Sequence, residues 1–287
     1  MDKPEIWIRS FIEQMVATDP DNCLNPESDE KAWDSPLVGF ASGIDPLFPF
    51  YKKDIGEFFW LPIEAFKTEY PDSKVSAEEL SVISWVIPHT KPIKMDHRKS
   101  TTIPAEKWAR ARLFGEAYNN KLRKQVTDML CQNGYPAVSP MLSPAFQRID
   151  SQKYGYASSW SERHAAYACG HGTFGLSDGL ITPVGKAVRF GSVIAKISLE
   201  PSERPYNDHH AYCLYYRDKS CTKCIERCPV DAISEDGHDK VRCKEYIRKE
   251  MIPAIKSNYN LDIQACGLCQ AKVPCESKIP KISTLSD

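Results

Sequence analysis

No run of 18 or more apolar residues interrupts these 287 residues, so the sequence has no segment able to cross a bilayer as a helix. Charge of one sign is missing too: 37 lysines and arginines against 38 aspartates and glutamates leave a net charge of −1. That balance argues against a broad nucleic-acid surface, which needs a basic patch or stripe. The opening stretch MDKPEIWIRSFIEQMVATD has neither an apolar centre nor a twin arginine, so it does not read as a signal peptide, and a cytoplasmic location is expected. Internal repeats and low-complexity tracts are absent. A chain of this length can bury a full core, and its 21 prolines point to a loop-rich fold rather than a helical bundle.

What the sequence has in quantity is cysteine, and its spacing is the strongest signal. Eight of the 11 cysteines lie between Cys213 and Cys275. Cys221-x2-Cys224-x3-Cys228-Pro229 is the second half of the bacterial ferredoxin pattern, in which the cysteine before the proline ligates a different cluster from its neighbours. Asp218 occupies the place of the usual preceding cysteine, and Cys213 is the substitute across a longer loop. Two [4Fe–4S] clusters take four thiolates each. Crossed ligation assigns Cys213, Cys221, Cys224 and Cys275 to cluster one, and Cys228, Cys243, Cys266 and Cys269 to cluster two. Structural zinc also uses Cys-x2-Cys pairs, but the Cys-Pro and the lack of matching histidines suit it less well. Disulfides need an oxidising compartment.

Ahead of this block, apolar periodicity predicts a helix over residues 4–18 and a longer one over 104–132 that ends before Asn133-Gly134. Cys131, at the end of the longer one, reads as a core residue. Val82–Ile87 reads as a buried strand stopped by Pro88, and residues 188–197 as a second strand. Between them, SERHAAYAC is a short helix running into a loop with Gly170, Gly172, Gly175 and Gly179. Helices and strands alternate, so the expected class is α/β, with an α/β domain over 1–205 and a two-cluster module over 206–287.

Taken in order, SVISWVIPHT, the long helix ending in Asn-Gly, SERHAAYACGHGTFGL, RFGSVIA and the closing CGLCQ resemble the epoxyqueuosine reductases and the reductive dehalogenases. The likeness spans most of residues 80–275. It implies a nitroreductase-like α+β core that holds base-off cobalamin, followed by a C-terminal ferredoxin-like two-[4Fe–4S] module. By resemblance, electrons enter at cluster two, pass to cluster one and then to cobalt, and the corrinoid reduces a substrate above its ring. The sequence departs from the family in places. Glu116-Ala117-Tyr118-Asn119 stands where the family has Tyr-His, CGLCQAKVPCE replaces a closing CxxCxxxCP, and the chain ends soon after Cys275. A tRNA substrate is therefore not expected. Asp208-His209-His210 lacks the glycine of Asp-x-His-x-x-Gly, so no protein imidazole is expected on cobalt.

Resemblance also nominates site residues. Tyr156, counted back from Ser161-Glu162-Arg163, falls where these reductases carry the proton donor, with Arg189 or Lys153 as the nearby cation. An ordinary core-edge tyrosine is the competing reading. Gly170, Gly172, Gly175, Gly191 and Ser192 would let backbone approach a flat macrocycle closely, although turns and packing contacts explain such residues equally. His164 and His171 are cavity-lining candidates or structural histidines. The basic residues of KSCTKCIERC would attract an acidic donor such as a ferredoxin or flavodoxin, or would simply be solvated. Two other functions compete with a corrinoid-dependent reductase: an electron-transfer protein serving a partner enzyme or corrinoid protein, and an iron–sulfur reductase holding flavin.

Overall fold

The computed structural model describes residues 3–281, and its backbone gathers into two compact units that are not contiguous in sequence. One comprises the segment up to Ile87 with Phe114–His171 and Arg189–Arg204. The other comprises Pro88–Leu113, Gly172–Val188 and everything from Pro205 onwards. The unit that carries the eight clustered cysteines thus also takes in two segments from the middle of the chain. Among the described residues, no helix is long and apolar enough to cross a membrane.

In the first unit a four-stranded sheet runs in the order Leu37–Ser42, Leu80–Pro88, Val188–Lys196, Ala137–Val138. The first two strands pair antiparallel with Gly39 opposite Ser84, and the last two pair antiparallel with Ala137 opposite Ala195. Every residue of Leu80–Pro88 is buried, including Ser81 and Ser84, so the strand is covered on both faces. The helices Pro4–Thr18 and Glu106–Gln132 form where the apolar periodicity puts them. Pro4 fits the first turn because a helix N-terminus leaves its N–H groups unpaired anyway. Trp33, fully buried, donates from Nε1 to the Gly115 carbonyl at 2.9 Å, and a Cβ on Gly115 would lie 2.8 Å from that indole. Cys131 is exposed, not a core residue, because it falls on the outward side of the last helical turn.

The second unit has little regular structure. A hairpin pairs Thr173–Phe174 with Leu180–Ile181 across the glycine-rich turn, and short helices follow, including Leu214–Asp218, Lys223–Glu226 and Lys240–Tyr246. Its apolar centre joins Leu176, Ile181, Tyr215, Ile233 and Val273 to Cys213 and Cys224.

Candidate metal centre and candidate catalytic residues

In the second unit, four separate stretches converge on one cavity. Cys213, Cys221, Cys224 and Cys275 line it together with Gly175, Leu176, Ile181, Lys186, Tyr215 and Pro274, around about 350 Å³ of space that is partly open to solvent. Local structure positions each thiol. Cys213 stands just before the helix Leu214–Asp218, and Cys224 lies within the single turn Lys223–Glu226. Cys275 is held by a short ladder in which the amide of Lys186 donates to the Cys275 carbonyl at 2.9 Å and that of Ala187 to Glu276 at 3.1 Å. Gly185 allows this approach: it has a φ of +87°, and a Cβ there would sit 2.2 Å from the Glu276 carbonyl oxygen.

The other four cysteines form a neighbouring set. Burial first, then the proximity of Cys269 and Cys228, pushes the Cys243 thiol up to about 12. Cys266 is also driven to about 12 by burial, opposed by the Leu268 amide and reinforced by Cys269, Cys243 and Cys228. Cys224, in the cavity, is raised to about 11 by burial, against the influence of Lys186, with Cys269, Cys275 and Cys213 raising it further. Thiols crowded in an apolar pocket stay protonated, and a metal binding them must displace those protons. The amide of Ala232 donates to Cys228 Sγ at 3.2 Å, a contact of the kind that tunes cluster sulfur.

All eleven cysteines are unbonded thiols. Among the described residues, no group of three or more His, Cys, Asp or Glu side chains is placed to hold a metal ion.

Several residues around these thiols have surroundings that the linear sequence does not show. Lys186 is 3% exposed and donates to Ser177 Oγ at 3.0 Å. Burial alone would lower its pKa, but the sulfurs of Cys275, Cys269, Cys224 and Cys213, once anionic, push it up. Arg227 reaches four carbonyls: Leu268 and Ala271 at 3.2 Å, Ser100 at 2.7 Å and His97 at 3.5 Å. It therefore anchors the turn between Cys266 and Cys269. Gly267 in that turn has a φ of +73°, and a Cβ on it would lie 2.4 Å from the Trp108 indole. Trp108 is in turn sandwiched between His89 and His97, each with ring centroids 4.1 Å away. Glu276 is buried beside Cys275 and paired with Arg98, whose guanidinium holds its carboxyl below the usual range against the upward push of burial. His210, from the Asp-His-His run, stacks on Tyr216 at 3.7 Å and lies 2.9 Å from the Phe174 carbonyl.

The glycine positions divide. Gly175 lines the cysteine cavity. A Cβ on Gly172 would lie 2.0 Å from the Ile181 carbonyl oxygen, inside the hairpin, and one on Gly170 would lie 2.4 Å from the Glu203 carbonyl oxygen. In the sheet, Gly191 faces the Trp85 indole, 2.3 Å from where its Cβ would be. Ser192 is fully buried and accepts from Trp160 Nε1 at 2.9 Å. At Gly170, Gly172 and Gly191 the protein itself fills the space that the missing side chain leaves.

In the first unit, Tyr156 is half-buried on the strand Gly155–Ser158, opposite Asp150 of Arg148–Ser151. Arg189 lies 3.6 Å from Glu116, beside the buried Arg123, which holds Glu116 and Glu162 at 3.2 Å each and Asn120 at 2.6 Å. Lys153 is paired with Asp54 at 2.5 Å, and the Tyr154 hydroxyl donates to the same carboxylate at 2.5 Å. His164 bonds Ser161 Oγ at 2.8 Å. His171 lies buried with Nε2 donating to the Ser84 carbonyl at 3.1 Å, so it is satisfied inside the core.

No family model matches the chain. In sequence it is similar to an epoxyqueuosine reductase of Synechocystis sp., 28% identical over 135 residues that make up 45% of this chain and 42% of the relative. The match thus spans less than half of that relative's length. Among solved structures, epoxyqueuosine reductase with an epoxyqueuosine-modified tRNA stem loop aligns over 96% of this chain and 67% of its own, with a TM-score of 0.51 and 17% identity. A catabolic reductive dehalogenase aligns over 85% of this chain and 30% of its own, with a TM-score of 0.52 and 15% identity. The chain therefore has a mixed α/β fold similar to that of both proteins, and the resemblance read from its motifs holds in sequence and in fold.

Proposed function

We infer that this chain, similar to epoxyqueuosine reductase in sequence and to epoxyqueuosine reductase and reductive dehalogenase in fold, is an iron–sulfur oxidoreductase that works with a corrinoid. The observation that carries this reading is the convergence of Cys213, Cys221, Cys224 and Cys275 on one largely apolar cavity. Four thiols from three separate stretches, gathered in one apolar pocket, fit a [4Fe–4S] cluster. The mutual influence of Cys228, Cys243, Cys266 and Cys269 supports a second cluster there. The C-terminal part is then a ferredoxin-like module of two clusters, and the domain over 1–205 is assigned to base-off cobalamin and the substrate.

When bound, the clusters supply single electrons and the corrinoid the reducing metal. The chain's own part is to hold and orient. The Arg227 guanidinium fixes the Cys266–Cys269 turn, and the 186–187 ladder fixes Cys275. Tyr156 is assigned as proton donor and Arg189 as the cation that assists it. Gly175, within the glycine-rich turn, stands at the metal cavity. An acidic one-electron carrier such as a ferredoxin or flavodoxin is the proposed electron donor, and a cytoplasmic location the proposed setting. Because one structural relative was solved with a tRNA stem loop, tRNA binding belongs among the measurements.

Protein purified without oxygen tests the reading. About eight irons per chain, with corrin bands and cobalt, are expected. Clusters alone would favour an electron carrier serving a partner enzyme or corrinoid protein, and released flavin would favour a flavin-containing reductase. Far fewer irons would overturn the assignment.

A further inference from the structure

We propose that Lys186 is a positioning residue that raises the reduction potential of the cluster held by Cys213, Cys221, Cys224 and Cys275, by presenting a buried ammonium to its sulfurs. The proposal rests on the cluster assignment above. Lysine is almost never fully buried unless it is paired, because taking a charge out of water is costly. Here Lys186 is 3% exposed, and its ammonium donates to the neutral Ser177 hydroxyl at 3.0 Å. The remaining donors of its ammonium belong in the cavity that Lys186 lines together with four cysteines. Its place there is fixed by its own backbone, since its amide is bonded to the Cys275 carbonyl at 2.9 Å. Four cysteines and no carboxylate line that cavity, so its counter-charge is sulfur.

The redox consequence follows from charge. One electron enters the cluster from a low-potential one-electron donor; no bond forms or breaks, and the reduced cluster carries one more negative charge than the oxidised one. A fixed cation nearby favours the more negative state, so it raises the potential, through the levers of net charge and hydrogen bonding to sulfur. In a water-poor pocket the effect is weakly screened.

The test is a redox titration, followed by electron paramagnetic resonance, of anaerobically purified wild-type, K186M, K186Q and K186R protein, with iron counted in each. K186M and K186Q should keep the wild-type iron content. The equilibrium constant for reducing the first cluster should fall roughly tenfold to a hundredfold, the scale of a lost charged hydrogen bond; one decade is about 59 mV for one electron. K186R, which retains the charge, should stay within a few-fold of wild type. Full iron with an unchanged potential in K186M or K186Q would overturn the proposal. So would loss of iron from both, which would make Lys186 an assembly residue instead. Wild-type protein without iron would overturn the cluster assignment as well, a result that the metal count alone tells apart.

Discussion

A buried histidine illustrates how single residues couple this fold to pH. Burial drives the pKa of His171 down to about 4, against the Ser84 carbonyl that favours the charged ring, with Arg9 adding a small repulsion. The unfolded chain titrates near 6.5. Above that value the histidine is neutral in both states and costs nothing. As pH falls from about 6.5 towards 4, the unfolded state takes up a proton that the folded state refuses, so stability is lost, at up to about 1.4 kcal/mol per pH unit. Urea unfolding between pH 7.5 and 4.5 should show this slope, and H171Q should have a shallower one. Parallel slopes would refute the assignment. The residue type and its neighbouring glycines were visible in the sequence. That the ring is enclosed was not, because its partner Ser84 lies 87 positions away.

At the scale of elements, two glycines have opposite consequences. Gly191 sits in the strand Val188–Lys196 against Trp85, whose Nε1 donates to Asn119 at 3.0 Å. G191A should cost about 1–3 kcal/mol through overpacking, measured by denaturant unfolding, and leave the iron content unchanged. Gly267 lies in the turn that carries Cys266 and Cys269, in a left-handed conformation and against Trp108. G267A should therefore lower iron content as well as stability, because the strain falls on two ligands at once. Both glycines stand in recognisable motifs, RFGSV and CGLCQ, and motif alone does not distinguish them. The difference is what packs over each Cα, an indole of the sheet in one case and the indole of Trp108 beside the cysteine turn in the other.

At the scale of the whole molecule, crossed ligation makes a counter-intuitive prediction. Cys228 follows Cys224 by four residues, yet the two are assigned to different clusters. C275S should remove the cluster of Cys213, Cys221 and Cys224, and C228S should remove the other. Each variant should retain about four irons with one paramagnetic signal missing. The same signal missing in both variants would refute the partition. What the sequence determined by itself was short-range: the helices at Pro4–Thr18 and Glu106–Gln132, the strands at Leu80–Pro88 and Val188–Lys196, and the thiol chemistry of the cysteine block. Periodicity and covalent spacing act over a few residues, so they survive without knowledge of the fold. Only the tertiary structure decided that Pro88–Leu113 and Gly172–Val188 join the cysteine-bearing unit and that Lys186 is buried among thiols. Burial and close approach arise between residues far apart in the chain, such as Lys186 and Cys275, and no local pattern encodes them.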